Sequence, residues 1–437
     1  MAKPSLQVIT LGCSKNKVDT EHLLAQVQDD FVIIPEDEEA KVDWLLLNTC
    51  GFIGDAKEES VQAVFDAVDR KNRGLVGKIL VFGCLSQRYM DELPGLIPEV
   101  DGWYGARDLD PVVRALGGQV KAGRRNARYS PVRRTPYAFL KISEGCDRRC
   151  SYCAIPFIRG AHRSVPMEDL VAEARSLSAE GVRELVLIAQ DTTYYGLDLY
   201  GRRALAELLQ RLSEVDGIEW IRIHYSYPAG FPEDVLDQMA SNPKVCRYMD
   251  IPLQHVADPV LDNMHRHVDG AWTRSLIRKM REKVPGIVLR TTLIVGHPGE
   301  GRKEFSELLD FVREARFERL GAFTYSEEEG TWGAAHLKDS VSKKTKQSRL
   351  SRLMEIQRGI SFAYNQSRIG SEVRVLVDGY ADGILVCRSE FESPEVDGEI
   401  LVPCPQGGSP EPYVGRFITV RITGADDYDL TGVYLRD

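Results

Sequence analysis

The amino-acid sequence predicts an α/β chain in three parts: an N-terminal doubly wound α/β domain, a central open (βα)6 barrel and a small C-terminal antiparallel β barrel. Three observations carry this prediction. At 437 residues the chain is too long for one ordinary hydrophobic core, and about 150 residues per domain gives about three domains. Strand-like and helix-like runs alternate over two stretches, separated by a basic break. After about Asn365 the helical spacing disappears, and short β-branched runs alternate with Asp-Gly turns.

Residues 5–120 make the first part. The runs 6–10, 43–48 and 78–82 read as strands, and 58–70, with Val61, Val64, Phe65 and Val68 at helical spacing, reads as a helix between two of them. The segment 121–134 carries six basic residues and no acid, with Gly123, Ser130 and Pro131, and reads as a solvated linker. The second part spans 132–362. Strands are expected near 139–143, 184–189, 220–225, 248–253, 288–295 and 320–325, with helices such as 205–215 and 304–315 between them. Six parallel units with right-handed crossovers form a curved barrel, two units short of a closed eight. A basic helix over 343–358 leads out. The third part, 365–437, has strand-like runs 372–377, 384–388, 399–402 and 417–422 between turns at Asp378, Asp382 and Asp397.

Composition narrows the function. No apolar run approaches the roughly 18 residues that a membrane-spanning helix needs, and the first ten residues hold a single Lys and enter an alternating pattern. A cytoplasmic protein without a membrane partner is therefore expected. The net charge of −9 argues against a DNA-binding role, and it is unevenly spread. From Asn365 onward there are six Arg, no Lys and thirteen acidic residues, a net of −7. In a reducing compartment the nine cysteines are metal ligands or buried thiols rather than disulfides.

Spacing sorts those cysteines into three sets. Cys146, Cys150 and Cys153 form a C-x3-C-x2-C array just after the first strand of the barrel, where βα barrels carry their active groups. Three thiolates this close suit one iron-sulfur cluster, and the absence of a fourth leaves one iron open to another ligand. A zinc site completed by a distant residue, or three buried thiols, is the competing reading. Cys13, Cys50 and Cys84 have no local spacing, yet each lies just past one N-terminal strand, and ligands of open parallel sheets bind at that edge. A second cluster with an open iron is expected there, with Gly12, Gly51 and Gly83 letting the backbone approach it. Cys246, Cys387 and Cys404 read as structural. His265 and His267, flanking an Arg, read as surface residues, and Asp258, Asp262 and the run 327–329 as solvated faces.

The Cys146 array, with Tyr152 before Cys153, resembles that of the radical S-adenosylmethionine (SAM) enzymes. The resemblance implies a 4Fe-4S cluster whose open iron chelates SAM, and the six-unit barrel agrees with it. It further implies SAM contacts at Tyr152, at Gln190 and Asp191 in Ala189-Gln190-Asp191-Thr192, at Gln254 in Pro252-Leu253-Gln254-His255, and at Gly296 and Pro298 in Val295-Gly296-His297-Pro298-Gly299-Glu300. A three-cysteine N-terminal domain, a radical SAM core and a C-terminal TRAM barrel together resemble the methylthiotransferases over essentially the whole chain. These convert C–H to C–S–CH3, using one SAM to make a 5'-deoxyadenosyl radical and a second as methyl donor. The implied cofactors are two 4Fe-4S clusters, one chelating SAM and one delivering sulfur, together with SAM.

The family has a branch acting on tRNA adenosine and a branch acting on an aspartate of small-subunit ribosomal protein S-twelve. Leu11-Gly12-Cys13-Ser14-Lys15-Asn16, Ser143-Glu144-Gly145-Cys146-Asp147-Arg148 and Ser393-Pro394-Glu395-Val396-Asp397-Gly398 resemble the protein-modifying branch. An acidic barrel repels RNA and attracts a basic protein, which agrees. Ser14, where the branch often has Pro, and Gly301, where Thr is common, depart from the pattern. The expected reaction is β-methylthiolation of that aspartate, with the tRNA reaction as the alternative and a non-catalytic metal-containing ribosome- or RNA-binding module as a remote one. An electron donor of flavodoxin or ferredoxin type is expected, and the basic stretches 121–134 and 343–358 leave room for ribosomal RNA contact.

Overall fold

A computed structural model describes residues 3–124, 126–132, 135–405 and 409–437; Arg125, Arg133 and Arg134 of the basic linker lie outside the described residues. The first domain is a parallel sheet of β1 (Ser5–Thr10), β2 (Val32–Ile34), β3 (Val42–Thr49), β4 (Val76–Gly83) and β5 (Gly102–Trp103), in the order β2-β1-β3-β4-β5. The edge strands β2 and β5 are three and two residues long, too short to leave a periodic signal in the sequence. Leu6, Val8, Leu46 and Leu80 pack on helices Ser14–Val27 and Asp110–Ala115, while Leu45, Leu47, Ile79 and Val81 pack on Val64 and Ala67 of helix Gly54–Asn72. Each such side chain, fully buried, contributes about 1.5–3 kcal/mol. Helices thus cover both faces, and the strand order reverses between β1 and β3, which opens a crevice at their carboxyl ends.

The second sheet contains β6 (Tyr137–Lys141), β9 (Glu184–Ile188), β10 (Trp220–Ile223), β11 (Val245–Asp250), β12 (Val288–Val295) and β13 (Arg319–Thr324), all parallel and in sequential order. No pairing joins β6 to β13 among the described residues, so the barrel is open, as six units require. Between β6 and β9, a short antiparallel hairpin of β7 (Ser143–Glu144) and β8 (Arg163–Ser164) interrupts the alternation. The largest apolar core lies between this sheet and its helices, through residues such as Leu187, Ile223, Met249 and Leu289. The helix that leads out runs Lys343–Ser367, nine residues longer than its basic stretch.

The third domain is a closed barrel of β14 (Glu372–Ala381), β15 (Ile384–Arg388), β16 (Ile400–Pro403), β17 (Phe417–Ala425) and β18 (Leu430–Arg436), ordered β14-β15-β16-β18-β17. Four pairs are antiparallel; β16 and β18 are parallel, a departure from the wholly antiparallel barrel expected. Cys387 belongs to the barrel core.

The segment 389–397, between β15 and β16, lies against the sheet face of the central domain that its helices leave bare. Arg222 donates to the carbonyls of Glu390 (2.7 Å) and Ser389 (3.4 Å), Arg319 to Glu392 (3.1 Å), and Tyr248 to Asp397 (2.6 Å). Ser393 Oγ meets His224 Nε2 at 2.7 Å, and Trp220 meets Phe417 edge-on at 4.7 Å. Burial holds the His224 imidazole neutral, at about 3. Glu390 pairs with Arg247 and Glu395 with Lys17 of the first domain. Four of the barrel's acids are therefore joined to the other domains, so part of its −7 is internal charge rather than a surface for a basic partner.

Candidate active site

Hairpin β7–β8 closes the base of the excursion that carries Cys146, Cys150 and Cys153. Gly145, at φ +81°, is required at its start: a Cβ there would stand 2.1 Å from the Ala161 carbonyl oxygen. The Cys146 N–H donates to Gly160 O and the Cys153 N–H to Cys150 O, both at 3.1 Å. Burial pushes the Cys146 thiol up to about 12 and Cys153 higher still, with Cys150 nearby adding to both. Arg266, 3% exposed, donates to Cys150 Sγ at 3.5 Å and lies over the Tyr227 ring, whose hydroxyl returns to the Arg266 carbonyl at 3.0 Å. This is the Arg between His265 and His267. The structure buries this Arg, leaves His267 exposed as expected, and sets His265, partly exposed, tilted against Trp332 at 4.3 Å.

The second set converges as the strand-end placement implies. Cys13 follows β1, Cys50 follows β3, and Cys84 follows β4. A Cβ on Gly12 (φ +86°) would meet Cys50 Cβ at 2.6 Å and Sγ at 3.0 Å, and one on Gly51 would meet the Leu85 backbone at 2.6 Å. These glycines let the three loops approach one another, a more immediate reason than access for an inorganic group. Burial raises the Cys50 thiol and takes Cys84 up to about 11, and each also feels the charge of Cys13. Cys84 packs with Ala106, Ala154 and Ile158, the last two just beyond Cys153, so the two thiol sets lie on touching loops.

The expected SAM contacts divide. Asp191 is committed to the protein: it accepts from Arg148 Nε at 2.6 Å and from Thr193 N at 2.9 Å, capping the turn Thr192–Tyr194. Arg148 is thereby held over the Tyr227 ring at 4.1 Å. Gln190 donates to Glu144 at 2.6 Å but leaves its buried Oε1 without a partner. Gln254, at φ +74°, also has a buried, unpartnered Oε1. Tyr152 is edge-on to His297 at 6.2 Å and near Arg266. Gly296 N–H donates to Glu300 at 2.7 Å, and a Cβ on it would strike Lys346 Cγ at 2.4 Å; Pro298 O accepts from Asn263 at 3.1 Å. Gly296 and Pro298 thus shape the turn after β12.

One further pattern was not legible in the sequence. Gln190 Oε1 after β9, Ser226 Oγ after β10, Gln254 Oε1 after β11, His297 Nε2 after β12 and Tyr325 Oη after β13 are all buried without a hydrogen-bond partner among the described residues. A buried polar atom left unpaired costs about 1–3 kcal/mol, and five at one sheet edge mark a site completed by a polar ligand. Glu328, in the run expected to be solvated, is instead buried and pairs with Lys57 and Arg88 of the first domain. Cys246 lies inside β11 rather than before it, buried beside Trp220 and Tyr248.

Each thiol set suits a cluster. Soft sulfur donors come in threes, and one sulfur of each set accepts from a buried guanidinium, Cys150 from Arg266 and Cys84 from Arg159. A single zinc ion needs four ligands within about 2.3 Å of one point. Among the described residues no three His, Cys, Asp or Glu side chains gather in that way, while a cuboidal cluster binds each thiolate to a different iron.

Family models match all three parts of the chain: the uncharacterized protein family UPF0004 over residues 5–105, the radical SAM superfamily over 140–312 and the TRAM domain over 369–435. These modules, with the thiol set at the carboxyl end of β6, define a radical SAM enzyme, a class that works with SAM and a 4Fe-4S cluster. Curated relatives bear the name ribosomal protein uS12 methylthiotransferase RimO. One from Porphyromonas gingivalis is 50% identical over 431 residues, covering 98% of this chain and 99% of the relative. Those from Bacteroides fragilis and Cytophaga hutchinsonii are 47% and 46% identical, the first covering 99% of both chains and the second 98% of both. The chain belongs to this RimO family. Among solved structures, the radical SAM methyltransferase TsrM of Kitasatospora setae shares the fold at TM-score 0.59 and 15% identity, covering 94% of this chain and 85% of its own.

Proposed function

We propose that this chain methylthiolates the β-carbon of an aspartate in ribosomal protein S-twelve, taking C–H to C–S–CH3. The observation that carries the mechanism is the pair of three-thiol sets, each at the carboxyl edge of a parallel sheet, packed together through Cys84, Ala154 and Ile158. In this reading Cys146, Cys150 and Cys153 hold the SAM-chelating 4Fe-4S cluster, and Cys13, Cys50 and Cys84 hold the sulfur-delivering one. The clusters supply an electron for reductive cleavage of SAM and the sulfur that is inserted.

The protein's own groups bind and orient. Gln190 and Gln254 offer free amide oxygens to the SAM ammonium, and Tyr152 packs beside Arg266 against the first thiol set. Asp191 acts indirectly, by fixing Arg148. The turn carrying Gly296 and Pro298 brings His297 and its free ring nitrogen to the same edge. Lys15, its ammonium 3.1 Å from the Tyr225 ring centroid of the central domain, is a cation at the domain junction suited to a carboxylate substrate. Domains at 5–120, 132–362 and 365–437, a cytoplasmic setting, and a flavodoxin- or ferredoxin-type electron donor complete the proposal. The basic stretch 121–134 and the exposed cations of 343–358, rather than the acidic barrel, supply ribosomal RNA contact.

The test incubates cluster-reconstituted protein with methyl-labelled SAM, reductant and either the ribosomal protein or tRNA. Label in the aspartate of the protein is expected, and label only in tRNA would overturn the substrate.

A further inference from the structure

We infer that Arg159 is a positioning residue that ties the two thiol sets together, holding Cys84 of the second from the loop that carries the first. The inference rests on the reading that Cys13, Cys50 and Cys84 hold a cluster. Arg159 closes helix Ile155–Arg159, which begins two residues after Cys153. It is 3% exposed and spends its donors across the domain boundary. Nε donates to Cys84 Sγ at 3.2 Å, Nη2 to Asn16 Oδ1 at 2.7 Å, and Nη1 to Asp19 Oδ2 at 2.7 Å and to Glu144 Oε2 at 3.1 Å.

Each partner leads to a functional loop. Asn16 donates through Nδ2 to Leu11 O (2.8 Å) and Thr49 O (3.3 Å), the backbone just before Cys13 and Cys50. Glu144 precedes Gly145 and Cys146, and its other oxygen accepts from Gln190 at 2.6 Å, on the expected SAM loop. Lys141 also binds Asp19 and Glu144, so two cations and two carboxylates share the buried junction. One guanidinium therefore touches a cluster sulfur of the first domain, the residue bracing the other two loops, and a carboxylate that reaches Gln190.

A planar fork can make these bonds together, whereas a lysine ammonium is a point donor on a flexible stem. A positive charge and an N–H on a cluster sulfur stabilise the more negative, reduced state, so their loss moves the cluster potential downward. Neither effect requires Arg159 to touch substrate.

The experiment uses the full chain with Cys146, Cys150 and Cys153 replaced by Ala, so that only the second set can take a cluster, reconstituted anaerobically with iron and sulfide. Cluster occupancy is read as iron and sulfide per chain, and the midpoint potential by EPR-monitored titration. In this background Arg159→Gln is expected to lower occupancy or shift the potential to more negative values. Arg159→Lys should fall between it and the parent, and Asp19→Asn, which removes a negative charge from the junction and leaves the guanidinium on Cys84, should shift the potential in the opposite direction. Circular dichroism of each variant separates these changes from failure to fold; if Arg159→Gln does not fold, Arg159→Lys and Asp19→Asn carry the test. Parent-like occupancy and potential in the folded variants would overturn the inference. Absence of any cluster in the parent, with Arg159 intact, would instead overturn the second-cluster reading and the inference with it.

Discussion

Replacing Glu392 by Gln tests the joint between the C-terminal barrel and the central sheet. Glu392 is 1% exposed and accepts from Arg319, Arg368 and Ser389, so its carboxylate is the shared anion of two buried guanidiniums. Burial by itself would raise its pKa; the two arginines and the hydrogen bonds outweigh that and bring it down to about 2, from an ordinary 4.5. At 1.36 kcal/mol per unit, the charged form contributes about 3 kcal/mol to the folded state near neutral pH. That agrees with the roughly 3–5 kcal/mol lost when one partner of a buried ion pair is removed. Because the pKa is depressed on folding, the contribution is fully present above about pH 4.5 and is lost as pH falls toward 2. The assay is native-state hydrogen exchange, which reads local opening without assuming that three domains unfold together. E392Q is expected to speed exchange in 384–393 and 417–422 roughly 100-fold at pH 7, leaving β1 and β3 unchanged. The wild type should lose stability over the acid range while the variant shows no such loss. Exchange within about twofold of wild type at neutral pH would refute the reasoning that this ion cluster holds the joint.

Other expectations concern the site. Reconstituted wild-type protein should hold about eight irons per chain, and Cys84→Ala or Cys150→Ala about four, each variant losing the spectrum of one cluster. Gly12→Ala places a methyl 2.6 Å from Cys50 Cβ at a left-handed backbone position, and is expected to cost at least about 1 kcal/mol and to lower iron to about four per chain. Asp191→Asn weakens the hold on Arg148; iron content should stay at the wild-type level while the KM for SAM rises about tenfold, the worth of one charged hydrogen bond. Chelation of iron leaves five unpartnered polar atoms at the central sheet edge, so equilibrium dialysis should show SAM binding weakened at least about tenfold without the clusters.

Local chemistry made much of this legible. Strand and helix periodicity marked thirteen strands to within a few residues, because alternation and 3.6-residue spacing are properties of consecutive side chains. The edges β2 and β5 and the hairpin β7–β8 escaped notice, since two or three residues carry no period, and so did the seven-residue β18, Leu430–Arg436. The C-x3-C-x2-C array was readable because its geometry is set by one loop. The second thiol set was readable only through a rule about strand ends, which located Cys13, Cys50 and Cys84 without saying that Gly12 and Gly51 serve to bring their loops together.

The sequence by itself determined the three-part architecture and singled out six thiols as candidate ligands, three by local spacing and three by their place at strand ends. Tertiary structure alone decided which charges are internal. Glu328 falls in a run read as solvated, and nothing local marks Glu392 or Arg266, yet folding buries each against a partner dozens to hundreds of positions away. It likewise joined Asp191 to Arg148, and set Arg159 on Cys84 across 75 residues. A buried ion survives only where a counter-charge meets it, and that meeting is fixed by the packing of whole domains, which no local pattern encodes.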